Sequence, residues 1–215
     1  MNSLSNKEIL ITGTVAFDDI ETPTGSSGKI IGGAGTYIAL AASIFSKKIS
    51  LVSVIGDDFL EEDIKMLQSK NINTGMIERI AGEKSFYWKG KYHSNFKTRD
   101  TLITELNALE KFNPIVNQSS KKAEIIVLGN LHPSVQLSVL DQLESDYNFV
   151  ILDTMNFWMD TALDELNKAI NKTDLIVIND EEAEQLTGES NLEKASNRIL
   201  KMGPKIVIIK KGYKG

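Results

Sequence analysis

Three observations predict an α/β fold built on a mainly parallel sheet. Short β-branched runs recur along the chain, and most of them are continuously apolar. Helix-length segments with a hydrophobic period of about 3.6 residues separate them. The 215 residues, 41% of them hydrophobic and with a net charge of −5, are enough to bury a real core. A strand covered on both faces needs a continuous apolar run, and alternation of strand and helix implies right-handed crossover units in a three-layer domain.

In chain order the strand candidates are Glu8 to Thr12, Ile49 to Ile55, Glu124 to Leu128, Asn148 to Leu152, Asp174 to Ile178 and Lys205 to Lys210. Ile38, Ala41, Ala42 and Phe45 make one helical stripe, and Leu60, Ile64 and Leu67 a second. Leu163, Leu166 and Ile170 make a third, and Leu192, Ala195, Ile199 and Met202 a fourth. All four read as amphipathic helices covering the sheet. Two segments interrupt the alternation, Ile20 to Ile31 and the stretch between Gly82 and Ser120. The second carries Phe86, Trp88, Lys89, Lys91 and Tyr92 and then the alternating stretch Thr101 to Leu106, which suits a small antiparallel excursion from the main sheet. With 4 Pro, no repeat and no low-complexity tract, residues 1–215 read as one domain.

Lys and Arg number 24 against 29 Asp and Glu, so the chain lacks the basic field that a nucleic-acid partner requires. It contains no Cys and two His, His93 and His132, which argues against disulfides, thiolate chemistry and His- or Cys-ligated metals. A metal here is expected to be held by carboxylates, which suggests magnesium. Met1 to Lys7 is polar, and the apolar stretch Ile9 to Ile11 is too short for a signal or membrane segment. The expectation is a cytoplasmic protein with no membrane partner.

Open α/β sheets bind ligands beyond the carboxyl ends of their strands. Gly25-Ser26-Ser27-Gly28-Lys29 lacks the register of a P-loop, and Gly32-Gly33-Ala34-Gly35 lacks that of a dinucleotide fingerprint. The second glycine cluster still opens a helix, where it serves either a ligand approaching backbone N–H groups or a tight turn alone. Asp18 and Asp19 stand after the first strand, as acceptors for substrate hydroxyls or as solvated loop acids. Asn179-Asp180-Glu181-Glu182 has the spacing of a capping box and equally the carboxylate for magnesium beside a phosphate; both roles are compatible. Ile206 to Lys210 reads as a buried strand, followed by Gly212 and Gly215 in a turn that suits either a flat ligand or entry into a hairpin. His93 and His132 read as surface residues, Trp88 and Tyr92 as packing between strands, and Arg99 with Asp100 as an exposed pair.

Taken in order, these pieces resemble the ribokinase-like (PfkB) carbohydrate kinase family. Gly13-Thr14-Val15-Ala16-Phe17-Asp18 resembles its opening strand and substrate-binding Asp, and Gly32 to Ala41 its first signature. Ile55-Gly56-Asp57-Asp58 is similar to the family's Val-Gly-Asp-Asp, Asn179 to Glu182 to its Asn-x-x-Glu, and Val207 to Gly215 to the strand and turn under the adenine nucleotide. Glu21-Thr22-Pro23, Asn95 to Asn107 and Asp153 to Trp158 resemble a subgroup of sugar kinases.

The resemblance covers essentially the whole chain and implies a three-layer ribokinase-like fold whose excursions, at about residues 20–31 and 84–107, form a β lid, often also the surface of a homodimer. It implies ATP-dependent phosphorylation of a hydroxymethyl group on a sugar or nucleoside, with Mg2+ and an open question over K+. Asp18, Gly32, Gly33, Tyr37, Arg99 and Asn156 are the implied substrate residues. Asn179, Lys210, Gly212 and Gly215 are the implied nucleotide residues, and Glu182 is the implied metal residue. Two features depart from the family pattern. Tyr37 stands where many members have an Asn that contacts the sugar, and the second signature, Asp-Thr-x-Gly-Ala-Gly-Asp, does not occur in the 215 residues. The resemblance therefore places the catalytic base beyond Gly215, and the chain is expected to be a fragment or truncated product with little or no activity. A non-catalytic sugar- or nucleotide-binding or dimerisation module is the alternative, and a nucleotide-binding α/β protein outside the kinases a weaker one.

Overall fold

A computed structural model describes residues 6–94, 98–144 and 149–215. Asn148 in the fourth strand candidate and residues 95–97 in the second excursion lie outside the described residues. The described residues form two compact units: Ile11–Ile115 with Asn6 and Lys7, and Glu8–Leu10 with Val116–Gly215. Two sheets are present, a seven-stranded one of order β11-β10-β9-β8-β1-β4-β5 and a four-stranded one of order β3-β2-β6-β7, whose strands are defined below. The larger is the mainly parallel sheet of an α/β fold.

The elements from the N-terminus to Ile115 are β1 (Ile9–Thr12), β2 (Ala16–Thr22), β3 (Gly25–Gly32), α1 (Ala34–Ala42), β4 (Ile49–Ile55), α2 (Glu61–Ser69), β5 (Ile72–Arg79), β6 (Tyr87–Tyr92) and β7 (Arg99–Glu105). Every residue of β1 and β4 is buried, as their unbroken apolar runs require. β4 pairs in parallel with β5, which breaks its own pattern with Asn73, Thr74 and Gly75 and so gives no strand signal in the sequence.

The helix facing inward next to β1 does so on a different stripe from the one its large residues suggest. α1 buries Gly35, Thr36 and Ala39, whereas Phe45 lies past its end and is 63% exposed. The cause is close backbone approach: a Cβ on Gly13 would lie 2.7 Å from the Gly35 nitrogen, so only the smallest face fits there. Leu60, also expected inward, sits at the N-cap of α2 and is exposed, while Leu67 is fully buried.

The small sheet corrects the two excursions in extent and direction. Its first hairpin is β2 with β3, so it starts at Ala16 rather than near residue 20, and it contains Asp18 and Asp19 within a strand rather than in a loop. β2 pairs with β6 in parallel and β6 with β7 antiparallel, which makes the sheet mixed rather than antiparallel throughout. β7 is exposed along its whole length, so the alternation of Thr101 to Leu106 does not correspond to one buried face.

From Val116 onward come β8 (Ile125–Leu128), α3 (Pro133–Asp141), β9 (Phe149–Asp153), α4 (Asn156–Thr161), α5 (Leu163–Asn171), β10 (Leu175–Asn179), α6 (Asp180–Thr187), α7 (Leu192–Leu200) and β11 (Ile206–Lys210). β8 to β11 pair in parallel. Ile126, Leu128, Val150, Leu152, Ile176 and Ile178 are fully buried, as are Leu166 and Ile170 of α5 and Ala195 and Ile199 of α7. Burial in β8, β9 and β10 alternates, although their sequences are apolar at nearly every position. β11, the edge strand of the sheet, departs furthest from expectation: Ile206 and Ile208 are 44% and 45% exposed, because they share one face and only the other is partly covered.

Asp174 ties the start of three of these strands together. Its Oδ2 accepts the Val150 N–H at 2.9 Å, and Lys205 Nζ donates to its Oδ1 at 2.8 Å. Burial pushes the Asp174 carboxyl up, but the hydrogen bonds and charge of Lys205 and the Val150 amide outweigh it and leave the group below its usual range.

Two outcomes are expected in urea unfolding. Leu128→Ala should cost about 2–5 kcal/mol, whereas Ile206→Ala on the exposed face should cost about 1 kcal/mol or less. A carboxyl held below its unfolded pKa stabilises the fold above that pKa and loses this contribution as pH falls through the folded value. Asp174→Asn should therefore be less stable than the parent at neutral pH, with the difference closing below about pH 4.

Candidate functional site

Asp18 lies on β2 opposite Ile30 of β3, in the register that also sets Ala16 opposite Gly32. A Cβ on Gly32 would fall 2.0 Å from Asp18 Oδ2, so glycine is required for the carboxylate to occupy its place. Gly33 caps α1 at φ 92°, and its N–H donates to the Asp18 carboxylate. Burial raises the Asp18 pKa above the usual carboxylate value, and the Gly33 bond offsets only part of that rise.

The next donors of α1 are taken by Thr14. Its Oγ1 accepts the Ala34 N–H and its carbonyl accepts the Gly35 N–H, each at 2.9 Å. The glycine cluster therefore seats Asp18 and closes a tight turn, and its amides are committed within the chain. Thr14 has no separate signal in the sequence beyond following Gly13 at a strand end. Tyr37, one position into the exposed face of α1, is 52% exposed.

On the small sheet, alternate residues face opposite sides, so Asp18 and Asp19 diverge. Asp19 accepts from Tyr87 Oη at 3.2 Å and lies 3.4 Å from Lys89 Nζ, which also pairs with Glu21 at 2.9 Å. Lys29 pairs with Asp58 at 3.0 Å, and Asp58 Oδ1 accepts the Ser85 N–H. The Gly-Asp-Asp turn thus braces this part of the structure, with Asp57 Oδ2 accepting the Gly82 N–H at 2.7 Å.

Arg99 is not paired with Asp100; its guanidinium lies 5.6 Å over the Trp88 ring, and Asp100 pairs with His93 at 3.1 Å. Trp88 lies across Gly90, where a Cβ would meet the ring at 2.1 Å. It covers a glycine of its own strand and also reaches β7, where its Nε1 donates to Thr101 Oγ1 at 3.3 Å, in line with the expected packing between strands.

In the second unit, Asp153, Asn179 and Lys210 end β9, β10 and β11. The capping box is present: Asn179 Oδ1 accepts the Glu182 N–H and Glu182 Oε2 accepts the Asn179 N–H, both at 2.8 Å. Glu182 is buried. Lys210 Nζ lies 3.7 Å from Asp153 Oδ1. Burial pushes the Asp153 carboxyl up, against the opposing effect of Lys210 and of the Thr154 and Asn130 amides.

Asn156 Nδ2 donates to Gln185 Oε1 at 2.6 Å, and Gln185 Nε2 to Asp160 Oδ1, so Asn156 joins α4 to α6. Gly212 and Gly215 adopt φ 58° and 100° in a turn closed by the Lys211 N–H donating to the Gly215 carbonyl at 2.7 Å. His132 caps α3 through Nδ1, which accepts the Ser134 N–H, and stacks edge-on to Trp158.

The described residues contain no group of three His, Cys, Asp or Glu able to hold a metal by themselves. All-oxygen donors suit magnesium, which is commonly bound through one or two carboxylates with the remaining positions filled by water and phosphate oxygens. No helix among the described residues is long and apolar enough to cross a membrane.

Replacing Asn179 by Ala removes the acceptor for the Glu182 N–H and is expected to cost about 1 kcal/mol in thermal or urea unfolding. Asn179→Ser should recover most of it.

A model of the pfkB family carbohydrate kinases matches residues 10–215. Cytidine kinase of Thermococcus kodakarensis is 24% identical over 212 residues, covering 97% of this chain and 74% of that protein. Ribokinase of Cryptococcus neoformans, solved with ADP, superposes with a TM-score of 0.77 at 19% identity, covering 100% of this chain and 75% of that one. A nucleoside kinase of Methanocaldococcus jannaschii, described as an archaeal member of the ribokinase family, superposes with a TM-score of 0.73 at 19% identity over 98% of this chain and 72% of its own. The family match over nearly the whole length settles the affiliation. The chain belongs to the pfkB family of carbohydrate kinases.

Proposed function

We propose that the protein acts in ATP-dependent phosphorylation of a hydroxymethyl group on a sugar or nucleoside. The carrying observation is Asp18: a half-buried carboxylate held on β2 by the Gly33 N–H and by the space Gly32 leaves. A carboxylate in that setting accepts hydrogen bonds from neighbouring sugar hydroxyls, and burial strengthens such bonds by excluding competing water. Tyr37 and the Arg99–Trp88 stack contribute the larger surfaces of the same substrate reading.

Lys210 and Asn179, with the turn at Gly212 and Gly215, are read as the nucleotide side. ATP with magnesium supplies the transferable phosphoryl group and neutralises its charge. Glu182, committed through Oε2 to the helix cap, acts toward the metal through water. The described residues account for binding and positioning, and no residue among them is assigned the proton-abstracting role. The relatives that phosphorylate cytidine or bear the name ribokinase support a pentose or nucleoside as substrate. A homodimer through the small sheet belongs to the same reading, supported by Leu102, Ile103 and Leu106 exposed on and beside β7. A cytoplasmic location follows from the need for ATP.

Calorimetry with ribose, deoxyribose and cytidine tests the substrate side without requiring turnover. Asp18→Asn is expected to weaken binding about 10- to 100-fold, the loss of hydrogen bonds to a charged acceptor. Because hydrogen bonds to the ionised carboxylate are stronger than those to the neutral acid, affinity should fall as pH drops through the raised Asp18 pKa, at a higher pH than an ordinary Asp would show. Absence of binding to every member of the panel would remove the proposal. Binding of sugar and nucleotide with no phosphoryl transfer would favour the non-catalytic module.

A further inference from the structure

Asp153 stands where β9 ends, opposite Val177 of β10. Asn179 lies two residues beyond Val177 and is itself opposite Lys210 of β11. Alternate residues share a face, so Asp153, Asn179 and Lys210 lie on one side of these three strands. Gln136 pins the strand ends below them. It is fully buried, and its Nε2 donates to the carbonyls of Gly129 at 2.9 Å and Asp153 at 3.1 Å.

The Asp153 carboxylate accepts the Thr154 and Asn130 amides, and its charge is opposed by Lys210. At 3.7 Å that pair is within ion-pair range but longer than an N–H···O hydrogen bond, so Lys210 is held loosely. The next residue, Thr154, is buried and its Oγ1 has no hydrogen-bond partner. Glu182 differs in kind, because its Oε2 is already engaged in the helix cap.

We propose that Asp153 makes nucleotide binding conditional on a divalent cation. This rests on reading the second unit as the nucleotide side. Without a cation, the Asp153 carboxylate both occupies Lys210 and repels the incoming phosphates, since like charges within a few ångströms oppose each other strongly near a protein surface. When Asp153 instead serves as a ligand to the cation, Lys210 is released and its ammonium turns to the phosphates. Asp153 is in this sense a switch for Lys210, and the cation and the phosphates each take one member of an existing ion pair. One protein carboxylate, phosphate oxygens and water make an ordinary magnesium set.

The test is calorimetric titration of the 215-residue chain with ADP, in magnesium and in EDTA, with thermal unfolding run alongside. The parent is expected to bind ADP at least about tenfold tighter in magnesium. Asp153→Asn should bind metal-free ADP more tightly than the parent and reduce the magnesium ratio to within about twofold. Lys210→Met should weaken ADP chiefly in magnesium, where the parent's Lys210 is released to the phosphates, and so lower the magnesium ratio. Asp153→Glu retains the charge and should restore the magnesium dependence, a result that a merely structural role would not give. A ratio in Asp153→Asn equal to the parent's, with unfolding unchanged, overturns the assignment. So does a parent that binds ADP equally well with and without magnesium. If the parent binds ADP under neither condition, the nucleotide reading of the second unit fails first, and that outcome is distinct from the other two. Should Asp153→Asn not fold, the Lys210→Met and Asp153→Glu ratios decide the matter.

Discussion

The placement of Asp18 depends on the contact between the start of α1 and the turn after β1. A Cβ on Gly33 would lie 2.3 Å from the Thr14 carbonyl oxygen, and one on Gly35 would lie 2.8 Å from the Gly13 backbone. No side chain fits between those two segments, so the helix approaches with its smallest face and its first amides reach Thr14 and Asp18 directly. Asp18 depends on this approach twice, for the N–H it accepts and for the volume it occupies beside Gly32. A carboxylate with a raised pKa and a fixed position is thus a by-product of how closely two pieces of backbone meet.

The second unit achieves position by hydrogen bonding rather than by contact. Asn179 and Glu182 satisfy each other's amides at the start of α6, Gln136 holds two carbonyls at the ends of β8 and β9, and Asp174 holds the opposite ends of β9 and β11. These groups are polar and largely buried, so each is costly if left unpaired and rigid once paired. The pair between Asp153 and Lys210 is the loose member of the set, and it lies on the more exposed face of the strands. Firm partners on one side and a weakly held ion pair on the other leave the chain a place where charge can be exchanged at little structural cost.

The small sheet separates its chemistry by strand alternation. Asp19, Glu21, Tyr87 and Lys89 form a connected polar group, while Asp18 faces the other way. Trp88 covers Gly90 and receives Arg99 above it, so a tryptophan and an arginine eleven positions apart in sequence become one surface. Neither residue carries a local signal for that arrangement, because it depends on the β6–β7 register.

What the sequence determined by itself was whatever a short window of residues decides. Runs such as Ile49 to Ile55 declared buried strands, Asn179 and Glu182 at their spacing declared a capping box, and the order of the glycine pair, Gly-Asp-Asp and Asn-x-x-Glu declared the family. The tertiary structure decided which face of a helix turns inward, which apolar strand lies at an edge, and which charges meet. α1 buries Gly35, Thr36 and Ala39 because backbone proximity outranks hydrophobic size, and Ile206 and Ile208 remain exposed because only the other face of β11 is partly covered among the described residues. Asp153 meets Lys210 because parallel register carries residues 57 positions apart to adjacent strand ends. Local propensity acts over a few residues, whereas burial and charge pairing depend on neighbours that only the folded chain supplies.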